Sequence, residues 1–138
     1  MKKTKQGIIV FDEGANAQLK PYVQKAGWRV ESVSSIDRNI RYKDHSVAKK
    51  YTKGRFPLFT GDKNVCYEVP YETAATGYVV QETTVSPTNL HEYGLKIQKF
   101  FKEHKAKSIE GVVWHIPANG EPKIIIKNIY SRKYSKKT

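Results

Sequence analysis

The run Gly7-Ile8-Ile9-Val10-Phe11 carries apolar side chains on both parities, and a strand of that kind needs cover on both of its faces. An antiparallel sheet with one wet face cannot host it. The requirement points to a central strand of a parallel sheet held between helices, and the rest of the chain is patterned to match. From Ala15 onward, Leu19, Val23 and Ala26 recur at helical spacing; Pro21 places the helix start near Lys20, and Gly27 stands where helices commonly stop. Trp28, Val30 and Val33 alternate in part with polar residues and predict a second strand.

After a polar stretch with Ser34, Ser35, Asp37 and Asn39, Val47, Ala48 and Tyr51 share one face of a short helix, with Asp44 placed to cap it and Gly54 to end it. Phe56-Pro57-Leu58-Phe59-Thr60, ending at Gly61-Asp62, predicts a third strand, and Gly77 to Gln81 a fourth. Leu90, Leu95, Ile97, Phe100 and Phe101 predict the apolar face of a long helix running to about Lys105. Gly111 to Ile116 and Lys123 to Ile129 predict a closing hairpin around Pro117-Ala118-Asn119-Gly120, whose Asn-Gly pair readily adopts positive φ. Strands alternating with helices predict an α/β fold: a mostly parallel central sheet, helices on both faces, and a C-terminal edge hairpin. Ligands of such sheets bind beyond the carboxyl ends of the strands.

A chain of 138 residues without repeats or a shift in composition predicts one domain over residues 1–130, followed by a basic tail over residues 131–138. The 25 Lys and Arg against 13 Asp and Glu leave a net charge of +12, a surface that concentrates polyanions, with nucleic acid foremost. No apolar run approaches the ~20 residues of a membrane span, and Met-Lys-Lys-Thr-Lys-Gln is followed by too short an apolar stretch for a secretory signal. A cytoplasmic protein without membrane contact is expected. A single cysteine, Cys66, excludes an internal disulfide, and with four scattered histidines it excludes a Cys/His zinc module. Any metal would sit on carboxylates.

The four aspartates, Asp12, Asp37, Asp44 and Asp62, all fall within the first 62 residues. Asp12 follows the first predicted strand and Asp62 the third, so parallel pairing of those strands would bring both out at one edge of the sheet, where Asp44 could face them. Three converging carboxylates repel one another unless a cation neutralises them, and hard oxygen ligands suit Mg²⁺ or Mn²⁺. Each acid also has a structural reading. Asp12 and Asp62 serve equally as turn residues and Asp44 as a helix cap, while Asp37 fits a solvated loop.

Val10-Phe11-Asp12-Glu13, Gly27-Trp28-Arg29-Val30, Asp44-His45-Ser46-Val47-Ala48 and Leu58-Phe59-Thr60-Gly61-Asp62-Lys63, in this order, resemble the PIN-like domain, in particular the small group related to VapC-type toxin endonucleases. Ile109-Glu110-Gly111-Val112-Val113 and Lys123 to Lys127 are similar to the end of that group, so the resemblance covers nearly the whole chain. It implies a three-layer α/β/α PIN-like fold and an endoribonuclease that uses Mg²⁺ or Mn²⁺ to hydrolyse RNA phosphodiesters, the toxin of a toxin–antitoxin pair. Carried over by position, Asp12, Asp44 and Asp62 would be catalytic and metal-binding, with Glu13 either a further metal ligand or, if the strand continues and turns it to the opposite face, an exposed or helix-entry acid. Arg41, Lys43, Lys49 and Lys63 are the rim cations expected to hold the RNA backbone. An antitoxin protein and a second copy of the chain are the partners such a group implies.

The sequence departs from the family in two places. Gly14 and Ala15 separate the first acidic pair from Asn16, and Asn64 stands where the group often has a second aspartate, which leaves an oxygen without charge. That second departure motivates the alternative of a PIN-like module that binds RNA or a protein without cutting. Other residues stay open between roles. His45 is a proton carrier or a bystander; Tyr22, Tyr42, Tyr51 and Tyr67 stack on bases or rim a core; Thr60 orients a water or is a buried strand-end hydroxyl. Cys66 reads as a small hydrophobe. Glu110-Gly111-Val112-Val113-Trp114 with Lys123 and Lys127 superficially resembles the late motifs of covalent nucleotidyltransferases such as RNA ligases. The absence of any Lys-x-Asp-Gly removes the nucleotide-accepting lysine that reading needs, so Glu110-Gly111 is read as a turn entering an edge strand.

Overall fold

The computed structural model describes residues 7–11, 15–32, 56–61, 77–82 and 85–127. In chain order these form β1 (Gly7–Phe11), a 3₁₀ turn (Ala17–Leu19), α1 (Lys20–Lys25), β2 (Trp28–Ser32), β3 (Leu58–Thr60), β4 (Tyr78–Gln81), a second 3₁₀ turn (Pro87–Asn89), α2 (Leu90–Glu103), α3 (Ala106–Ile109), β5 (Val113–Ile116) and β6 (Lys123–Ile126). The predicted helix around Val47, Ala48 and Tyr51, with Gly54, lies outside the described residues, as do Val33 and the tail.

The strands form one sheet in the order β2-β1-β3-β4-β5-β6. The first five are parallel, with Ile9 opposite Val30, Phe11 opposite Phe59, Phe59 opposite Val79 and Val79 opposite Trp114; β6 runs antiparallel to β5. The chain therefore steps outward from β1 to β2 and then returns to the other side of β1 for β3. This is a doubly wound order with its switch point between β1 and β3.

Both faces of the sheet are buried, as the pattern of β1 requires. On one face Ile9, Phe11, Trp28, Phe59, Val79 and Ile116 pack with Leu19, Val23 and Ala26 and with Tyr93, Ile97, Phe100 and Phe101 of α2. On the other, Val10, Leu58, Tyr78, Val80 and Val113 are all at most 1% exposed. The sheet is thus the middle layer of an α/β/α arrangement. Aromatic contacts tie the first face together: Phe11 stacks on Phe59 with centroids 4.5 Å apart, and the Trp28 indole meets Phe101 edge-on at 5.2 Å while its N–H donates to the Phe101 carbonyl at 2.9 Å.

Pro21 lies in the first turn of α1, as its spacing predicts, and Gly27 leaves the helix at φ +98°. The residues ahead of α1 form a separate 3₁₀ turn, capped by the Asn16 side chain, which accepts from the Gln18 N–H at 2.8 Å. The long helix differs from expectation at two points. It ends at Glu103, where His104 turns to extended backbone, and Leu95 is 48% exposed while Tyr93, Ile97, Phe100 and Phe101 are buried. A residue two positions from both Tyr93 and Ile97 lies about 200° around the helix from each and cannot share their face. Gly94 does share it. A Cβ there would lie 2.4 Å from the Tyr22 ring, so the glycine allows α1 and α2 to approach.

The closing hairpin forms as the sequence predicts, with Gly120 at φ +98°. One expectation is corrected. Glu110-Gly111 leads into β5, which lies between β4 and β6, so the strand it enters is interior and β6 is the edge. A register shift opposite Val113 and Trp114 puts a bulge in β6, and Ile124 and Ile125 are each 41% exposed. Lys96 braces the turn: its ammonium donates to the carbonyls of Pro117, Ala118 and Gly120 at 2.9, 2.9 and 2.8 Å.

Candidate active site at the carboxyl edge of the sheet

β1, β3, β4 and β5 all end at one edge, and the switch point between β1 and β3 opens a crevice there. The register pairs Phe11, the last residue of β1, with Phe59, the penultimate residue of β3. The two strand ends lie side by side. Asp12 follows β1 directly in the sequence and Asp62 comes two residues after Thr60. Asp12, Glu13, Asp44 and Asp62 lie outside the described residues, as do Arg41, Lys43, Lys49, Lys63 and Asn64, and so do Asp37, Tyr42, His45, Tyr51, Cys66 and Tyr67. Among the described residues no group of three or more His, Cys, Asp and Glu could hold a metal ion.

The described part of the edge is a hydrogen-bonded frame that neither periodicity nor motif revealed. Gln81, the last residue of β4 and 6% exposed, accepts the Asn16 N–H on its side-chain oxygen at 2.7 Å. Its amide nitrogen donates to the Glu82 carbonyl at 3.3 Å. The connection leaving β1 is thus tied across the switch point to the end of β4. Next to it, the Tyr93 hydroxyl of α2 accepts the Glu82 N–H at 2.7 Å and donates to the Ile116 carbonyl at 2.7 Å, joining the ends of β4 and β5. Burial pushes the Tyr93 phenol well above the usual tyrosine range, the Glu82 carboxylate adds to the rise, and the hydrogen bond from the Glu82 backbone opposes it. A neutral phenol is what this bridge needs, because it must donate as well as accept. His115, 6% exposed, has its Nε2 3.7 Å from a carboxylate oxygen of Glu82.

At the other end of the edge, the Lys20 ammonium at the start of α1 donates to the Ser32 hydroxyl at the end of β2. It lies 6.0 Å from the centroid of the Phe11 ring. Thr60 is fully buried at the end of β3. Tyr22 faces α2, with its hydroxyl 2.8 Å from His91 Nδ1, so it belongs to the helix interface and rims the core. Glu110 closes α3, where its N–H bonds to the carbonyls of Ala106 and Lys107. The frame left little trace in the sequence because an isolated Gln, Tyr or Lys carries no period. The one available signal is position, since each stands at the end of a strand or the start of a helix.

Compared with protein-family models, with curated proteins and with solved structures, the chain matches none. No helix among the described residues is long and apolar enough to cross a membrane.

Proposed function

We propose that the protein is a Mg²⁺- or Mn²⁺-dependent endoribonuclease of the PIN-like class, acting in the cytoplasm as the toxin of a toxin–antitoxin pair. The observation that carries the reading is the parallel pairing of Phe11 with Phe59 at the switch point. It supports a convergence of Asp12 and Asp62, because the strands they follow end together. In this reading Asp12, Asp44 and Asp62 hold the ion and Glu13 adds a ligand. A bound ion would supply a water of lowered pKa and stabilise charge on the leaving oxygen. Arg41, Lys43, Lys49 and Lys63 hold the phosphates on either side of the scissile bond. The carboxyl edge of the sheet is also where an antitoxin, or a second copy of the chain, would bind.

The test is cleavage of labelled RNA with Mn²⁺ and with EDTA, comparing wild type with Asp12→Asn and Asp62→Asn. Cleavage that requires metal and falls at least about 100-fold in each variant, with RNA binding retained, supports the enzyme. An Asp62→Asn protein that cuts as fast as wild type removes the site assignment. Asn64, an amide where the resembled group often has an acid, favours a second reading: a module that binds RNA or a protein without cutting. Tight RNA binding with no cleavage in any divalent ion would select that one.

A further inference from the structure

Two lysines are held by hydrogen bonds at the carboxyl edge, and their surroundings differ in a way that assigns them different work. An ammonium carries three N–H donors. Those of Lys96 are matched one for one by the carbonyls of Pro117, Ala118 and Gly120, which makes Lys96 a brace for the hairpin with nothing left to offer a ligand. Lys20 is half-buried, and among the described residues its ammonium has a single hydrogen-bond partner, the Ser32 hydroxyl, and no ion pair. Its other two donors meet nothing among the described residues. The site is also pre-set, because Ser32 anchors the head group from β2 and the Phe11 ring lies within cation–π range of it. Ordering a lysine normally costs rotamer entropy at the moment of binding. Here part of that ordering is already in the fold.

We propose that Lys20 is a phosphate-binding residue on the β1–β2 side of the carboxyl edge, and that it holds a backbone phosphate of single-stranded RNA. The site deepens the nuclease reading and rests on it for the identity of the polyanion. A phosphate here would lie one strand away from the switch point, on the side of β1 opposite β3. A strand of RNA crossing the β1–β3 crevice toward β2 would meet Lys20 as its next contact. The role is one of positioning, since Lys20 follows the connection out of β1 and does not belong to the proposed acids.

The experiment measures affinity for a short oligouridylate in EDTA over a series of salt concentrations, using wild type, Lys20→Met, Lys20→Gln and Lys20→Arg, with thermal melting to establish that each is folded. Lys20→Met and Lys20→Gln are expected to bind about fivefold more weakly at 0.1 M salt and to lower the salt slope by about 0.7, the share of one phosphate on a single strand. Lys20→Arg keeps the charge and should bind as wild type. If both neutral variants fold and keep the wild-type affinity and slope, the proposal is overturned. It is also overturned if inorganic phosphate binds in a Lys20-dependent way while oligouridylate affinity does not change, because the site would then serve a small free anion. The metal is chelated, so the result does not depend on cleavage. RNA binding through Lys20 in a protein that never cuts would remove the nuclease reading and leave this site standing. Normal metal-dependent cleavage with unchanged binding by Lys20→Met would do the reverse.

Discussion

Single residues carry more of this structure than their chemistry suggests, and two of them make the point in opposite ways. Lys96 would ordinarily count as a solvated helix cation, yet it gathers three carbonyls of the β5–β6 turn. Lys96→Met keeps the stem and removes the donors, and hydrogen bonds to a charged group contribute about 1.5–3 kcal/mol. The carbonyls are partly exposed and water can replace the ammonium, so a loss of about 1–2 kcal/mol in urea unfolding is expected. A variant as stable as wild type would mean the turn needs no brace. Gly77 acts through what it lacks. Its φ is +124°, and a Cβ there would meet the Ile109 carbonyl oxygen at 1.8 Å, a backbone atom that cannot swing aside. Gly77→Ala combines overpacking with backbone strain, each about 1–3 kcal/mol, and is expected to destabilise by about 3 kcal/mol or more. A melting temperature unchanged by that substitution would contradict the close approach of β4 and α3.

Elements were legible in the sequence where burial is two-sided or periodic. β1 announces itself because no polar residue interrupts Gly7–Phe11, and α1 because Leu19, Val23 and Ala26 sit at helical spacing, with Pro21 and Gly27 marking its limits. The face of α2 was misjudged at Leu95, since an apolar residue type alone does not give its angle around the helix. The two 3₁₀ turns and α3 are too short to show a period. The three isoleucines of β6 do not mark a buried strand, since Ile124 and Ile125 are exposed at the free edge of a bulged strand. The ties between elements were not legible at all, because they pair residues far apart in sequence. Tyr93 makes two of them through one hydroxyl. Tyr93→Phe leaves the Glu82 N–H and the Ile116 carbonyl without their shared partner and should reduce stability by about 1–3 kcal/mol. It should also change the alkaline limb of stability. The folded chain holds the phenol proton more tightly than the unfolded chain does, so the contribution is complete below pH ~10, the unfolded tyrosine value, and declines as pH rises beyond it. The expected slope from this one group is about 1.4 kcal/mol per pH unit, and denaturation across pH 9–11 should show a shallower decline in Tyr93→Phe than in wild type.

At the scale of the whole molecule, the fold and the charge make separate demands, and a salt titration tells them apart. The mostly parallel sheet was anticipated from the alternation of strands and helices but its strand order was not, and the adjacency of β1 and β3 meets a condition on which the proposed grouping of Asp12 and Asp62 depends. A net charge of +12 does not by itself say that RNA lies in that crevice, because diffuse charge attracts any polyanion. Localised contacts leave a countable signature. If Arg41, Lys43, Lys49 and Lys63 each neutralise one phosphate of a single strand and Lys20 a fifth, the logarithm of affinity should fall against the logarithm of salt with a slope of about −3.5. Affinity would then drop about 130-fold between 50 and 200 mM salt. Neutralising the four rim residues together should flatten the slope to about −0.7, the share of Lys20, whereas removing four other lysines, such as Lys99 and Lys102 of α2, Lys107 of α3 and Lys123 of β6, should leave it almost unchanged. Equal losses in the two sets would mean that RNA is held by the molecule's overall field, with no defined track across the carboxyl edge, and the rim cations would lose their assigned role.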